Sequence, residues 1–141
     1  MTTTVGWLVD KSALWRLSHP AVAESLRDRM ASGRIGVSIL TELEVGFSAR
    51  SLADHEQVRN RLLDDLPPVP LPMRAEGRAR DVQRQLIARG QHRAVSVPDL
   101  LLAATAEIEG LVVVHYDADF DMIADLTGQP TEWVVSRGSV P

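Results

Sequence analysis

Apolar residues along the chain fall into two patterns. The first is a set of short continuous runs: Val5 to Val9, Ile35 to Ser38, Leu111 to His115 and Glu132 to Val135. Such runs are too short for helices and suit buried strands, with Leu111 to His115 reading as a strand covered on both faces. The second pattern is helical spacing. Behind Pro20, Val22, Leu26 and Met30 recur at i, i+4 and i+8 up to a stop at Gly33. Ile39, Leu43 and Phe47 form one stripe of a helix reaching about Arg50, and Ser51 caps a further helix through Asp65 that carries Leu52, Val58, Leu62 and Leu63. A long helix from Met73 to Arg89 has Ala75, Ala79, Val82, Leu86 and Ile87 on its inner side. Another begins at Pro98 and runs to about Ile108, and a short one covers Asp119 to Thr127. Lys11 to Leu17 is a short helix ended by the Ser18-His-Pro20 break. The prolines between Leu66 and Pro72 exclude a helix there and leave a linker or an edge strand centred on Val69.

Strands that alternate with helices, each strand a short apolar run, predict a parallel α/β sheet covered by helices. Ligands of such sheets bind beyond the carboxyl ends of the strands, where strand order reverses. Acids stand at those places. Asp10 ends the first strand, Asp117 follows the third, Asp99 lies in the first turn of the Pro98 helix, and Glu42 lies in the helix after the second strand. Each has an ordinary structural reading beside the functional one. Asp10 can cap the helix after it, and Asp99 suits a helix's first turn electrostatically. Asp119 is open between N-cap and ligand, and Asp121 and Asp125 read as solvated surface. Glu42 sits at the margin of the Ile39 stripe, about 200° from Glu44. The stripe therefore favours Glu42 as the acid that faces the sheet. A carboxylate near a core needs a partner, and a metal ion is one.

Composition narrows the chemistry. The chain of 141 residues is 45% hydrophobic and 24% charged, which fits one soluble domain with its own core. Without cysteine there is no disulfide, zinc–thiolate site or thiol nucleophile. No apolar run reaches the length of a membrane span, and Met1 to Asp10 lacks a signal peptide's basic start and cleavage site, so the expected location is the cytoplasm. The four histidines are scattered, and only His115 adjoins the acids. A net charge of −4 argues against nonspecific coating of nucleic acid, yet six of the fifteen basic residues fall between Arg74 and Arg93.

Four segments carry a family resemblance: Asp10-Lys-Ser-Ala, Thr41-Glu-Leu-Glu-Val-Gly46, Val97-Pro-Asp-Leu-Leu-Leu-Ala-Ala103 and His115-Tyr-Asp-Ala-Asp-Phe-Asp121. Together, in this order and spacing, they resemble the PIN-domain ribonucleases and, more closely, the VapC toxins of bacterial toxin–antitoxin pairs. The resemblance spans Val5 to about Trp133. It implies a PIN-like α/β/α sandwich with a short, mainly parallel central sheet. The whole chain, 1–141, would be a single PIN domain with a core of about 5–135 and a loose C-terminal tail. It implies an acidic set, Asp10, Glu42, Asp99 and Asp117 with Asp119 as accessory, that coordinates Mg²⁺ or Mn²⁺, and Ser12 as a supporting hydrogen bonder. The implied activity is endoribonucleolytic cleavage of tRNA or rRNA by a toxin. The implied partners are RNA, a VapB-like antitoxin whose tail occludes the crevice, and a second copy of the chain.

Carboxylates gathered this closely repel, so their pKa values should rise without metal, and a divalent ion should stabilise the fold. Because the site and RNA are both negative, Arg78, Arg84 and Arg93 are candidates for steering the substrate. Rival readings are weaker. A phosphatase of the haloacid-dehalogenase type wants Asp where Ser12 stands and a late lysine that is absent. An EF-hand at Asp117 to Gly128 fails at Met122 and Gly128. A non-catalytic RNA- or protein-binding module is the remaining alternative.

Overall fold

The computed structural model describes residues 4–141. The reading of the first ten residues as free of a signal peptide therefore rests in part on residues outside the described ones. Four strands form one sheet in the order β2-β1-β3-β4: β1 (Trp7–Val9), β2 (Ile35–Gly36), β3 (Val112–His115) and β4 (Thr131–Trp133). All pairings are parallel, with Leu8 opposite Gly36 and Val9 opposite Val114. From β1 the chain moves outward to β2, then crosses back to the other side of β1 at β3. The reversal of strand order therefore lies between β1 and β3, whose carboxyl ends carry Asp10 and Asp117.

Successive side chains of a strand point to opposite faces, and the core divides accordingly. Leu8 and Val113 join a cluster with α5 (Arg74–Ala88), α6 (Val97–Glu109) and α7 (Asp119–Thr127). Val9 and Val114 join a second cluster with α1 (Lys11–Leu14), α2 (Pro20–Ala31), α3 (Ile39–Phe47) and Leu63. The result is the expected three-layer α/β/α sandwich. Between α3 and α5, α4 (Leu52–Val58) runs into a π-helical turn, Arg59–Leu63. The proline-bordered segment does make one strand-like contact. Val37 N donates to Pro67 O and Val69 N to Val37 O, at 2.9 and 2.8 Å. The approach is close enough that a Cβ on Gly36 would stand 2.5 Å from Val69 Cγ2.

Several boundaries and faces differ from the sequence pattern. The helix at Lys11 ends at Leu14 rather than Leu17, and the last strand spans Thr131–Trp133 rather than Glu132 to Val135. The Ile39, Leu43, Phe47 stripe faces outward, with exposures of 43%, 64% and 92%. The buried face of α3 is Thr41 and Val45. Two polar ties set that rotation. Ser38 Oγ accepts from Leu40 N, and Thr41 Oγ1 donates to Val9 O at the end of β1. A buried hydroxyl must be paired, so the small Thr41 goes inward and the large side chains stay out. On α5 the inner seam is Ala75, Ala79, Val82 and Leu86, whereas Ile87, a further 100° round, is half exposed. The tail makes defined contacts. Tyr116 Oη donates to Val140 O and accepts from Gly138 N, and Arg16 Nε donates to Pro141 O.

Candidate metal centre at the strand ends

The site grows from the end of β1. Asp10 N continues the sheet by donating to Val114 O. Its side chain, fully buried, has two oxygens in different situations. Oδ2 caps α1 by accepting from Ser12 N at 3.0 Å and from Ser12 Oγ at 2.6 Å. Oδ1 is buried with no hydrogen-bond partner among the described residues. The capping and functional readings of Asp10 are therefore served by separate atoms. Ser12 Oγ also accepts from Tyr116 N, so one hydroxyl joins the ends of β1 and β3 and aims Asp10.

Asp99 comes from the opposite layer. Ser96 caps α6 by accepting from Asp99 N, and Asp99 is itself buried. Asp117 follows β3. Its backbone N–H donates to His115 Nδ1, and its Oδ1 caps α7 by accepting from Asp119 N at 2.9 Å. Asp119 is thus not the cap of its own helix. Its Oδ2 accepts from Ser96 N, and its side chain adds to the upward shift of the Asp99 pKa. Oxygens of Asp10, Asp99 and Asp117 lie within 4.8 Å of one another.

Electrostatics follow from this crowding. Burial raises the pKa of Asp99 to about 9, with the Asp10 charge, the Asp119 hydrogen bond and the Asp117 charge adding to it. Burial also raises Asp10, aided by Glu44 and Asp117 and opposed by the two Ser12 hydrogen bonds. His115 is lowered to about 4 by burial, against the pull of Asp121, Asp117 and Glu132. It is neutral, accepts at Nδ1, and leaves Nε2 buried without a partner among the described residues. Its ring packs against Phe120 and Trp133 at 4.9 and 5.0 Å.

The rotation of α3 decides between its two glutamates. Glu42 turns away from the cluster and pairs with Arg59 at 3.3 Å. Glu44 faces Asp10, raising that group's pKa, and accepts from Lys11 Nζ at 2.6 Å. Glu44 is thus the acid that hydrophobic patterning missed. The signal was the spacing Thr41, Glu44, Val45, with a buried threonine one turn before the acid. Of the other candidates, Asp121 is exposed and accepts from Trp133 Nε1, and Asp125 pairs with Arg89 at the surface. Arg78 is engaged by Glu107 and Asp81, whereas Arg84 and Arg93 are exposed.

The donor set suits a hard divalent cation: all oxygen, three carboxylates from three segments, and one buried oxygen without a partner. An open parallel sheet that gathers three carboxylates at its switch point offers a place for such a cation. The PIN domain family model matches residues 8–126. Among curated proteins, ribonuclease VapC2 of Mycobacterium tuberculosis is 48% identical over 133 residues, covering 93% of this chain and 94% of that protein. Ribonuclease VapC21 of the same species is 43% identical over 136 residues, covering 96% and 99%. Among solved structures, a chain of DNA-bound VapBC from Salmonella typhimurium superposes with a TM-score of 0.76 at 20% identity, over 93% of this chain and 99% of that one. This chain belongs to the PIN-domain family, within its VapC group.

Proposed function

We propose that the chain is a toxin endoribonuclease that needs a divalent ion, Mg²⁺ with Mn²⁺ as substitute, and cleaves tRNA or rRNA in the cytoplasm. Residues 1–141 act as one PIN domain. The observation that carries this reading is the trio of clustered carboxylates with Asp10 Oδ1 unpartnered at the strand switch point. Asp10, Asp99 and Asp117 would hold the ion, with Glu44 and Asp119 near enough to act through water. A bound divalent ion makes a water nucleophilic and offsets charge that develops on the phosphate. The residues around it supply the geometry. Ser12 fixes Asp10, His115 fixes the turn that carries Asp117, and Asp119, tied to Ser96 N, helps keep Asp99 protonated until that carboxyl becomes a ligand. Glu42, paired with Arg59, takes no part. Arg84 and Arg93 are the steering arginines this placement supports, while Arg78 serves its ion pairs.

The solved VapBC structures support one partner, a VapB-like antitoxin, and the family resemblance implies a second, another copy of the chain in a homodimer. A groove of about 520 Å³ beside the crevice, bounded by Lys11, Glu44 and Pro98 and walled by Trp15, Leu43 and Phe47, suits the antitoxin's tail. The test is to induce the chain in cells and sequence the new RNA ends, with Asp99→Asn in parallel. Discrete cuts that vanish in the variant, and cleavage in vitro that EDTA stops, are the expected result. Identical cuts by the Asp99→Asn chain would refute the assignment.

A further inference from the structure

Lys11 is the chain's single lysine, the other fourteen of its 15 basic residues being arginine, and it stands directly after Asp10. Its ammonium lies 2.6 Å from Glu44 Oε2. The hydrogen bond to Glu44 raises its pKa, and the charges of Asp10 and Asp99 act on it in the same direction, so it belongs to the acidic cluster. Its side chain is 40% exposed, against 18% for Glu44, so the lysine lies nearer the surface than its partner. Lys11 also lines the groove at the end nearest the acids.

Charge makes this placement informative. Asp10, Glu44, Asp117 and Asp119 supply four negative charges when ionised, and Asp99 a fifth once it loses its proton. A divalent ion leaves two or three of these uncompensated, and a phosphodiester adds one more. A positive charge at the acids themselves, closer than the steering arginines, eases the approach of a phosphate. Lysine suits that task, being a compact point charge on a flexible stem with three rotatable donors. Glu44 is only 18% exposed, so releasing it has a cost, which a charge-assisted contact to a phosphate oxygen offsets.

Resting on the nuclease reading above, we propose that Lys11 is a substrate-positioning residue. Its ammonium leaves Glu44 and holds the non-bridging oxygens of the RNA phosphodiester that is cut. The competing role is a structural brace for Glu44, in which Lys11 acts on the acids and never touches RNA. The two roles separate in experiment. In full-length protein, Lys11→Met and Lys11→Arg are compared with wild type on a short, randomised-sequence fluorescent RNA. Substrate positioning predicts that Lys11→Met raises KM by at least about tenfold, and that Lys11→Arg restores most of the loss. In an Asp99→Asn background, Lys11→Met should also make the slope of log affinity on log salt shallower by about 0.7. Mn²⁺ alone, titrated calorimetrically, should bind the Lys11→Met chain at least as tightly as wild type, since a neighbouring cation has been removed. Unchanged KM and salt slope beside an active wild type overturn the Lys11 role and leave the nuclease reading intact. Weakened Mn²⁺ binding with an unchanged salt slope assigns Lys11 to the brace and likewise overturns it. A wild-type chain that leaves the RNA whole with Mn²⁺ present overturns both readings.

Discussion

Removing the proton-holding carboxyl at Asp99 gives the sharpest test of the site. Its folded pKa is about 9, whereas an unfolded aspartate titrates near 3.8. For a group whose folded pKa is raised, the stabilisation is complete below the unfolded value and is lost as pH rises toward the folded one. Between those values the native state binds one proton more, so stability falls by about 1.4 kcal/mol per pH unit. His115 has the opposite sign. Its folded pKa of about 4 lies below the ordinary 6.5, so its contribution is present above 6.5 and is lost as pH falls toward 4. The two slopes oppose each other between about pH 4.5 and 6. Above 6.5 only the Asp99 slope remains, and in a chain of this length it corresponds to a fall in Tm of roughly 3–5 °C per pH unit. Asp10, also raised, adds in the same direction as Asp99. Melting curves in EDTA from pH 5 to 9 would show a plateau and then a decline, and Asp99→Asn would remove most of the decline. Ion binding at pH 7 must displace the Asp99 proton. Mn²⁺ titrations in two buffers of different ionisation enthalpy would therefore report release of about one proton per ion, and affinity tightening about tenfold per pH unit. A flat EDTA melting profile above pH 7, or Mn²⁺ uptake with no proton release, refutes the raised carboxyl.

The α3 assignment is tested by a pair of variants. Glu44→Gln should weaken Mn²⁺ binding by about 10-fold or more, the range for groups that act on a metal through a partner. Glu42→Gln should leave it unchanged; the reverse order by calorimetry would restore Glu42 to the site. His115→Phe keeps the ring packing but leaves the Asp117 N–H without an acceptor, at a cost of about 1–3 kcal/mol in urea unfolding. Phe47→Ser removes a ring that is 92% exposed and should leave unfolding within about 0.5 kcal/mol. The same change should weaken antitoxin binding by about 2 kcal/mol, roughly 30-fold in Kd, if that ring anchors the partner.

Strand and helix identities were legible in the chain because they depend on local patterns. Short apolar runs gave β1 and β3, Pro98 and Gly110 bounded α6, and Ser51 capped α4, as its hydrogen bond to Asp54 N shows. The acids at strand ends, Asp10 and Asp117, were legible for the same reason, since each follows an apolar run directly. Asp99 could be placed in a helix's first turn, and its packing against the sheet followed from the α/β pattern. What the chain did not reveal by pattern was helix rotation. Ile39, Leu43 and Phe47 share the spacing of a buried stripe, but a stripe that faces a groove or a partner has the same spacing as one that faces the core. The Ser38 cap and the hydroxyl of Thr41, tied to Val9 O on β1, turn α3 so that Glu44 meets Asp10 and Glu42 meets Arg59. The division of labour among the acids was equally hidden. Asp10 caps with one oxygen and leaves the other unpartnered, and Asp117 caps α7 while Asp119 reaches to Ser96. Local sequence thus determined the elements and put carboxylates at their ends. Which carboxylates share one buried space depends on contacts between residues about a hundred positions apart, and that was decided by tertiary packing alone.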